Sequence, residues 1–149
     1  MANKRFWLGM LAMALAFGMT VVGCDDGSTN GNGDFIKVIS VTPNAGLIDG
    51  TEQRFTVAVE YVLLTQDEAQ INVGFNSGLY GLGVNWYAHA GEPKIIQKGS
   101  GTHTFNVTAF IKKWNTAKFG VCVFLDPYPF PEGDSLDKLA SDFKELLVQ

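Results

Sequence analysis

Apolar and polar residues alternate over most of this chain, and the alternation begins only after an opening stretch that is apolar almost throughout. The clearest segment is 53–63, where Phe55, Val57, Val59 and Tyr61 fall on one side of an extended backbone and Thr56 and Glu60 on the other. A period of two marks a strand with one face buried and one in water. Residues 35–42 form an earlier run of the same kind. Ile71, Val73 and Phe75 repeat the pattern with Asn72 and Asn76 on the outward side, and Val84, Trp86 and Ala88 extend it. Residues 94–98 and 102–108 flank Gly99, Ser100 and Gly101, a three-residue connection whose glycines suit positive φ, so a β-hairpin is predicted there. In its second arm His103, Phe105 and Val107 share a face. Phe119, Val121, Val123 and Leu125 alternate with Cys122 and Phe124, which predicts a central strand covered on both sides.

The end of the chain satisfies two patterns at once. Leu136, Leu139, Ala140, Phe143 and Leu147 recur at helical spacing, with Asp134 or Ser135 as a cap. An antiparallel sandwich needs a closing strand, however, and only residues 142–148 remain to supply it, which favours the strand. Short strand-like runs between turn residues, without alternating helices, put the chain in the all-β class as an antiparallel sandwich.

The opening stretch has a different logic. Lys4 and Arg5 precede an apolar core of 17 residues, 6–22, which is short for a membrane-crossing helix. Asp25, Asp26 and Gly27 follow where a basic stop-transfer cluster would stand, so a cleaved secretory signal is the expected reading. Val21, Val22, Gly23 and Cys24 resemble a bacterial lipobox. That resemblance implies a lipoprotein signal peptide over residues 1–23, cleavage before Cys24, a diacylglyceryl thioether on Cys24, and an acyl chain such as palmitate on the new amine. One acyl chain holds a protein only marginally, at about 0.8 kcal/mol per buried methylene, whereas two or three anchor it stably. The implied address is the bacterial cell envelope, with the protein tethered by lipid to the outer membrane or cell surface rather than spanning it. Residues 25–34 carry no apolar side chain and are expected to form, with Cys24, a flexible linker over 24–34. As a Gly-rich coil such a tether spans about 17 Å.

Removing 23 residues from the 149 leaves 126, enough for one domain, which with the linker 24–34 set aside is assigned to residues 35–149. Lys4 and Arg5 leave with the signal, so the mature chain keeps 9 basic and 15 acidic residues, a net charge of −6. Nucleic-acid binding needs clustered cations, and once Lys4 and Arg5 are gone Lys112 with Lys113 is the only adjacent basic pair. Nucleic acid is therefore excluded as an expected partner. With Cys24 lipidated, Cys122 stands alone, so no disulfide is available and the fold must rest on its core. Cys122 itself reads as a small buried hydrophobe.

Further along, Ile39, Ser40, Val41, Thr42 and Pro43, then residues 46–50, then Phe55, Thr56, Val57, Glu60 and Tyr61 resemble the opening of immunoglobulin-like domains of bacterial surface lipoproteins. Residues 71–76, 98–101, 104–107 and 139–142 agree with that likeness. It implies a Greek-key, Ig-like β-sandwich of the disulfide-free kind and supports the closing strand, but it brings no shared catalytic residue. Fold alone does not determine function.

Candidate chemistry is sparse. Asp126, Glu132, Asp134 and Asp137 crowd one segment but lack the calcium-loop spacing, and they read as solvated loop acids. His89 and His103 have no third ligand at zinc spacing, and no nucleophile-elbow, phosphate-loop or zinc-protease pattern occurs. No enzyme, metal or cofactor is expected. Large aromatics in the connections are the better clue, because they stack on sugar rings or anchor protein partners. Trp86 and Tyr87 lie in the Gly-rich stretch 78–91, Trp114 lies between strands, and Tyr128 stands between Pro127 and Pro129. Trp86 and Trp114 alternatively plug the ends of the sandwich. The expected role is a lipid-anchored, non-enzymatic module that binds an envelope protein or glycan; the alternative is a structural spacer or assembly component.

Overall fold

Phe55 and Phe75 are twenty residues apart on one strand, yet their ring centroids lie 4.9 Å from each other. A straight strand would separate them by about 66 Å at about 3.3 Å per residue. The strand therefore doubles over, and that bend organises the whole fold. The computed structural model describes residues 28–29, 33–76, 88–115, 117–129 and 138–149. Among them it contains seven strands and no helix: β1 (Ser28–Thr29), β2 (Phe35–Thr42), β3 (Glu52–Phe75), β4 (Ala88–His89), β5 (Lys94–Phe110), β6 (Gly120–Pro127) and β7 (Ala140–Glu145). The chain is all-β, and its single sheet is curled into a half-barrel.

β3 is the spine. Residues 56–62 pair with β2 and β5 at once, and residues 69–71 pair with β6 and β5, so β2 and β6 share one edge of β3 while β5 runs along the other. β7 pairs with β6, and β1 with β7. The register between β3 and β5 shifts between Leu63 and Glu68, where four residues of β3 face one of β5. Such a bulge bends and twists both strands. Its unpaired backbone is satisfied by the buried Asp34, whose Oδ1 accepts from Leu64 N and Thr65 N at 2.7 and 3.1 Å and whose Oδ2 accepts from the Thr65 hydroxyl. On the facing strand Gly99 takes φ +133°, which only glycine adopts easily.

The two limbs of β3 close on a common core of Phe55, Val57, Val59, Ile71, Val73 and Phe75, joined by Val121, Val123 and Leu125 of β6. Across the opening, β7 is tied to β2: Asp142 Oδ2 accepts from Val38 N at 2.8 Å, and Lys144 Nζ donates to Ile39 O.

Several expectations need correction. Gly99, Ser100 and Gly101 form no hairpin; they lie inside the continuous β5. Likewise 53–63 and 71–75 are one strand, not two. Gly99 borders the break in regular pairing while Ser100 and Gly101 pair in register with Val62 and Tyr61, and both strands bend at that level instead of reversing. Asn72 and Asn76 are buried rather than outward, and so is Asp126, which was expected to be a solvated loop acid. Asn72 Nδ2 donates to Asp126 Oδ2 at 2.7 Å, so the polar side chains satisfy one another away from water. Within the expected tether, Ser28 and Thr29 pair with Ser141 and Ala140, and Asp34 belongs to the fold. Backbone groups form ladders without any apolar side chain, which is why composition missed this pairing. At the other end the strand reading holds: Ala140–Glu145 is antiparallel to β6, and Val148 then bridges Leu47. β6 is buried along its length between β3 and β7, as its sequence predicted.

Candidate functional site

β5 ends on one edge of β3 and β6 begins on the other, so residues 111–119 must carry the chain across the end of the half-barrel. Ile111 enters this crossing pinned by two backbone bonds, to Thr51 O and from Gly50 N. Lys113 N then donates to Asp49 Oδ1 at 2.6 Å. Asn76, the residue after β3, holds the rest. Its backbone oxygen accepts from Trp114 Nε1 at 2.7 Å, its Oδ1 accepts from Gly120 N at 2.7 Å, and its Nδ2 donates to Lys118 O. The indole of Trp114, its N–H so bonded, is half buried.

Beside it is an open depression of about 170 Å³ lined by Trp114, Lys113, Lys118, Glu145, Leu147 and Val148. Lys118 Nζ and Glu145 Oε2 are 2.8 Å apart and largely in water, and this contact raises the Lys118 pKa. Ile48 and Leu147, at 61% and 67% exposure, flank the Leu47–Val148 bridge at the same end. Apolar surface and a charged pair thus meet around one ring.

Tyr128 is exposed and lies just past the far end of β6, whereas Trp114 precedes its start. Eight residues of strand span about 25 Å, so the two aromatics do not form one site. Cys24, Trp86 and Tyr87 lie outside the described residues, as do Glu132, Asp134 and Asp137. Asn76 is the functional residue that sequence reading misplaced. Its polar side chain in phase with Asn72 looked solvent-facing, and only the returning segment makes it a hub.

The titratable groups have other surroundings. Burial pushes the Cys122 thiol up to about 12, so it stays protonated at neutral pH. His103 stands edge-on to Phe105 at 4.6 Å, and partial burial, then the Lys94 charge, lowers its pKa. A base favoured in its neutral form by folding adds stability above its unfolded pKa near 6.5, and that contribution is lost as pH falls through the lower folded value. An NMR titration should accordingly place the His103 midpoint below 6.5, and Lys94→Ala should move it upward. A midpoint unmoved by that substitution would rule out the Lys94 contribution. Among the described residues no group of three His, Cys, Asp or Glu lies close enough to hold a metal ion, and no helix is long and apolar enough to cross a membrane.

No family model and no curated protein matches this sequence.

Proposed function

We propose that the chain is a lipid-anchored lipoprotein of the bacterial envelope whose domain binds an envelope protein or glycan and carries no catalytic machinery. The observation that carries the binding role is Trp114, half buried beside an open depression with its indole N–H bonded to Asn76 O, in a connection tied to Asp49 and Asn76. The lipobox at Cys24 supports the anchor, with the envelope as the address. The domain reads as an Ig-like Greek-key sandwich: the two limbs of β3 pack face to face, and β6 reaches β3 by a crossover from β5. Strands β3 and β5 running through both limbs are its departure from that pattern.

Two readouts test this reading. Cys24→Ser should abolish partitioning into the detergent phase, and normal processing with unchanged partitioning would refute the anchor. Trp114→Ala should reduce retention of the bound envelope component, while Tyr128→Ala at the opposite end should not. Equal retention in both would return the domain to a spacer role.

A further inference from the structure

We infer that the end of the half-barrel carrying Trp114 lies against the phospholipid bilayer that holds the acyl chains of Cys24, with Ile48 and Leu147 as its apolar contacts. This inference rests on the lipid anchor of the proposed function, and it narrows the partner of that end to one presented at the bilayer surface. Chain length and direction set where the lipid stands relative to the fold. Cys24 is four residues before Ser28, and four residues reach at most about 14 Å even when fully extended. Ser28 and Thr29 are fixed beside Ser141 and Ala140, so the free part of the tether is much shorter than the polar run 25–34. β1 is antiparallel to β7, and the chain therefore enters it from the Glu145 side. Glu145 is four residues along β7 from Ser141, about 13 Å at about 3.3 Å per residue. The lipidated residue has enough chain to stand level with Glu145, whereas reaching the Tyr128 end requires it to double back.

What gathers at the level of Glu145 suits a lipid surface. Three stretches converge there: Ile111 bonds to Gly50 and Thr51, Lys113 N bonds to Asp49, and Leu47 bridges Val148. Ile48 and Leu147 are the most exposed large apolar side chains among the described residues, and entry into the boundary between headgroups and acyl chains takes such surface out of water. Lys113 and Lys118 are exposed on the crossing beside them, with Lys112 half-buried. Asp49 and Glu145 at the same end are engaged by Lys113 N and Lys118 Nζ. Lysines near an anionic leaflet are drawn to its phosphates over about a Debye length, roughly 8 Å. Tryptophan is likewise a residue of that boundary, and Trp114 sits half buried on the same crossing.

The test uses the full processed protein in vesicles of phosphatidylethanolamine and phosphatidylglycerol, a fraction of them bearing a nitroxide quencher just below the headgroup. A fluorescent thiol label is introduced through Leu147→Cys or Tyr128→Cys. Cys24 offers no free thiol once lipidated, and Cys122 is buried with its thiol pushed up to about 12, so neither competes for the label. The label at 147 should be quenched and the label at 128 should not. A third label, through Asn115→Cys on the exposed part of the crossing, reports the apolar contact. Adding Ile48→Ser with Leu147→Ser should remove most of its quenching; both replaced side chains are exposed, so this variant stays folded. Equal quenching at 147 and 128, or undiminished quenching at 115 in the double variant, would overturn the docking while stable vesicle attachment leaves the anchor in place. If the wild-type protein leaves the vesicles as readily as Cys24→Ser, the anchor falls and the docking with it.

Discussion

Replacing Phe75 with Ala is expected to destabilise the domain by about 3–5 kcal/mol, through lost transfer energy and the cavity left behind. Phe75 is 1% exposed, and its ring meets Phe55 at 4.9 Å and Phe119 at 6.0 Å. Those contacts join three separate parts of the chain: the first limb of β3, the second limb, and the entry to β6. The surrounding sheet is hydrogen-bonded on both edges there, which limits how far the cavity can collapse. Domains of this size are stable by about 5–15 kcal/mol, so the loss is a large fraction of the total. A urea titration should show a lower midpoint with little change in slope. The doubled strand makes a sharper claim. Phe55→Ala and Phe75→Ala share one contact, so the double variant should lose less than the sum of the singles, with a coupling above about 0.5 kcal/mol. Strict additivity would mean that the limbs do not meet.

Asn76→Ala is expected to cost about 2–4 kcal/mol, although it removes no large apolar group. The substitution leaves the buried Gly120 N and the part-buried Lys118 O without the side chain that satisfies them, and an unsatisfied buried group costs about 1–3 kcal/mol. The connection 111–119 should loosen, and with it the orientation of Trp114. Its fluorescence should shift to longer wavelength even below the unfolding transition. An exposed substitution on β5 such as Thr108→Ala should stay within about 0.5 kcal/mol and leave the Trp114 emission unchanged. If Asn76→Ala behaved like Thr108→Ala, the hub would be disproved.

Much of this was legible along the chain. The alternation at Phe55, Val57 and Val59 identified residues that are fully buried, and the double-sided apolar run around Cys122 identified the strand enclosed by β3 and β7. Trp114 was legible as an aromatic in a connection, though its hydrogen-bond partner was not. Each of these signals is local, because side chains on an extended backbone alternate regardless of what the strand meets. Local period therefore determined the all-β class, the inward residues and the aromatic candidates.

Tertiary structure decided how those strands join. A glycine with positive φ serves a turn and a bulge equally well, so Gly99 could not announce that β5 runs on. Only pairing with a β3 that bulges at the same level made it a bend. The same holds for Asn76, Asp34 and Asp126: a polar side chain reads as solvent-facing until the chain supplies its partner, and their partners lie 44, 31 and 54 residues away. Sequence pattern determines which face of a strand avoids water, because that depends on the residues themselves; where a strand bends and which polar group is buried depend on contacts made only after the chain has closed on itself.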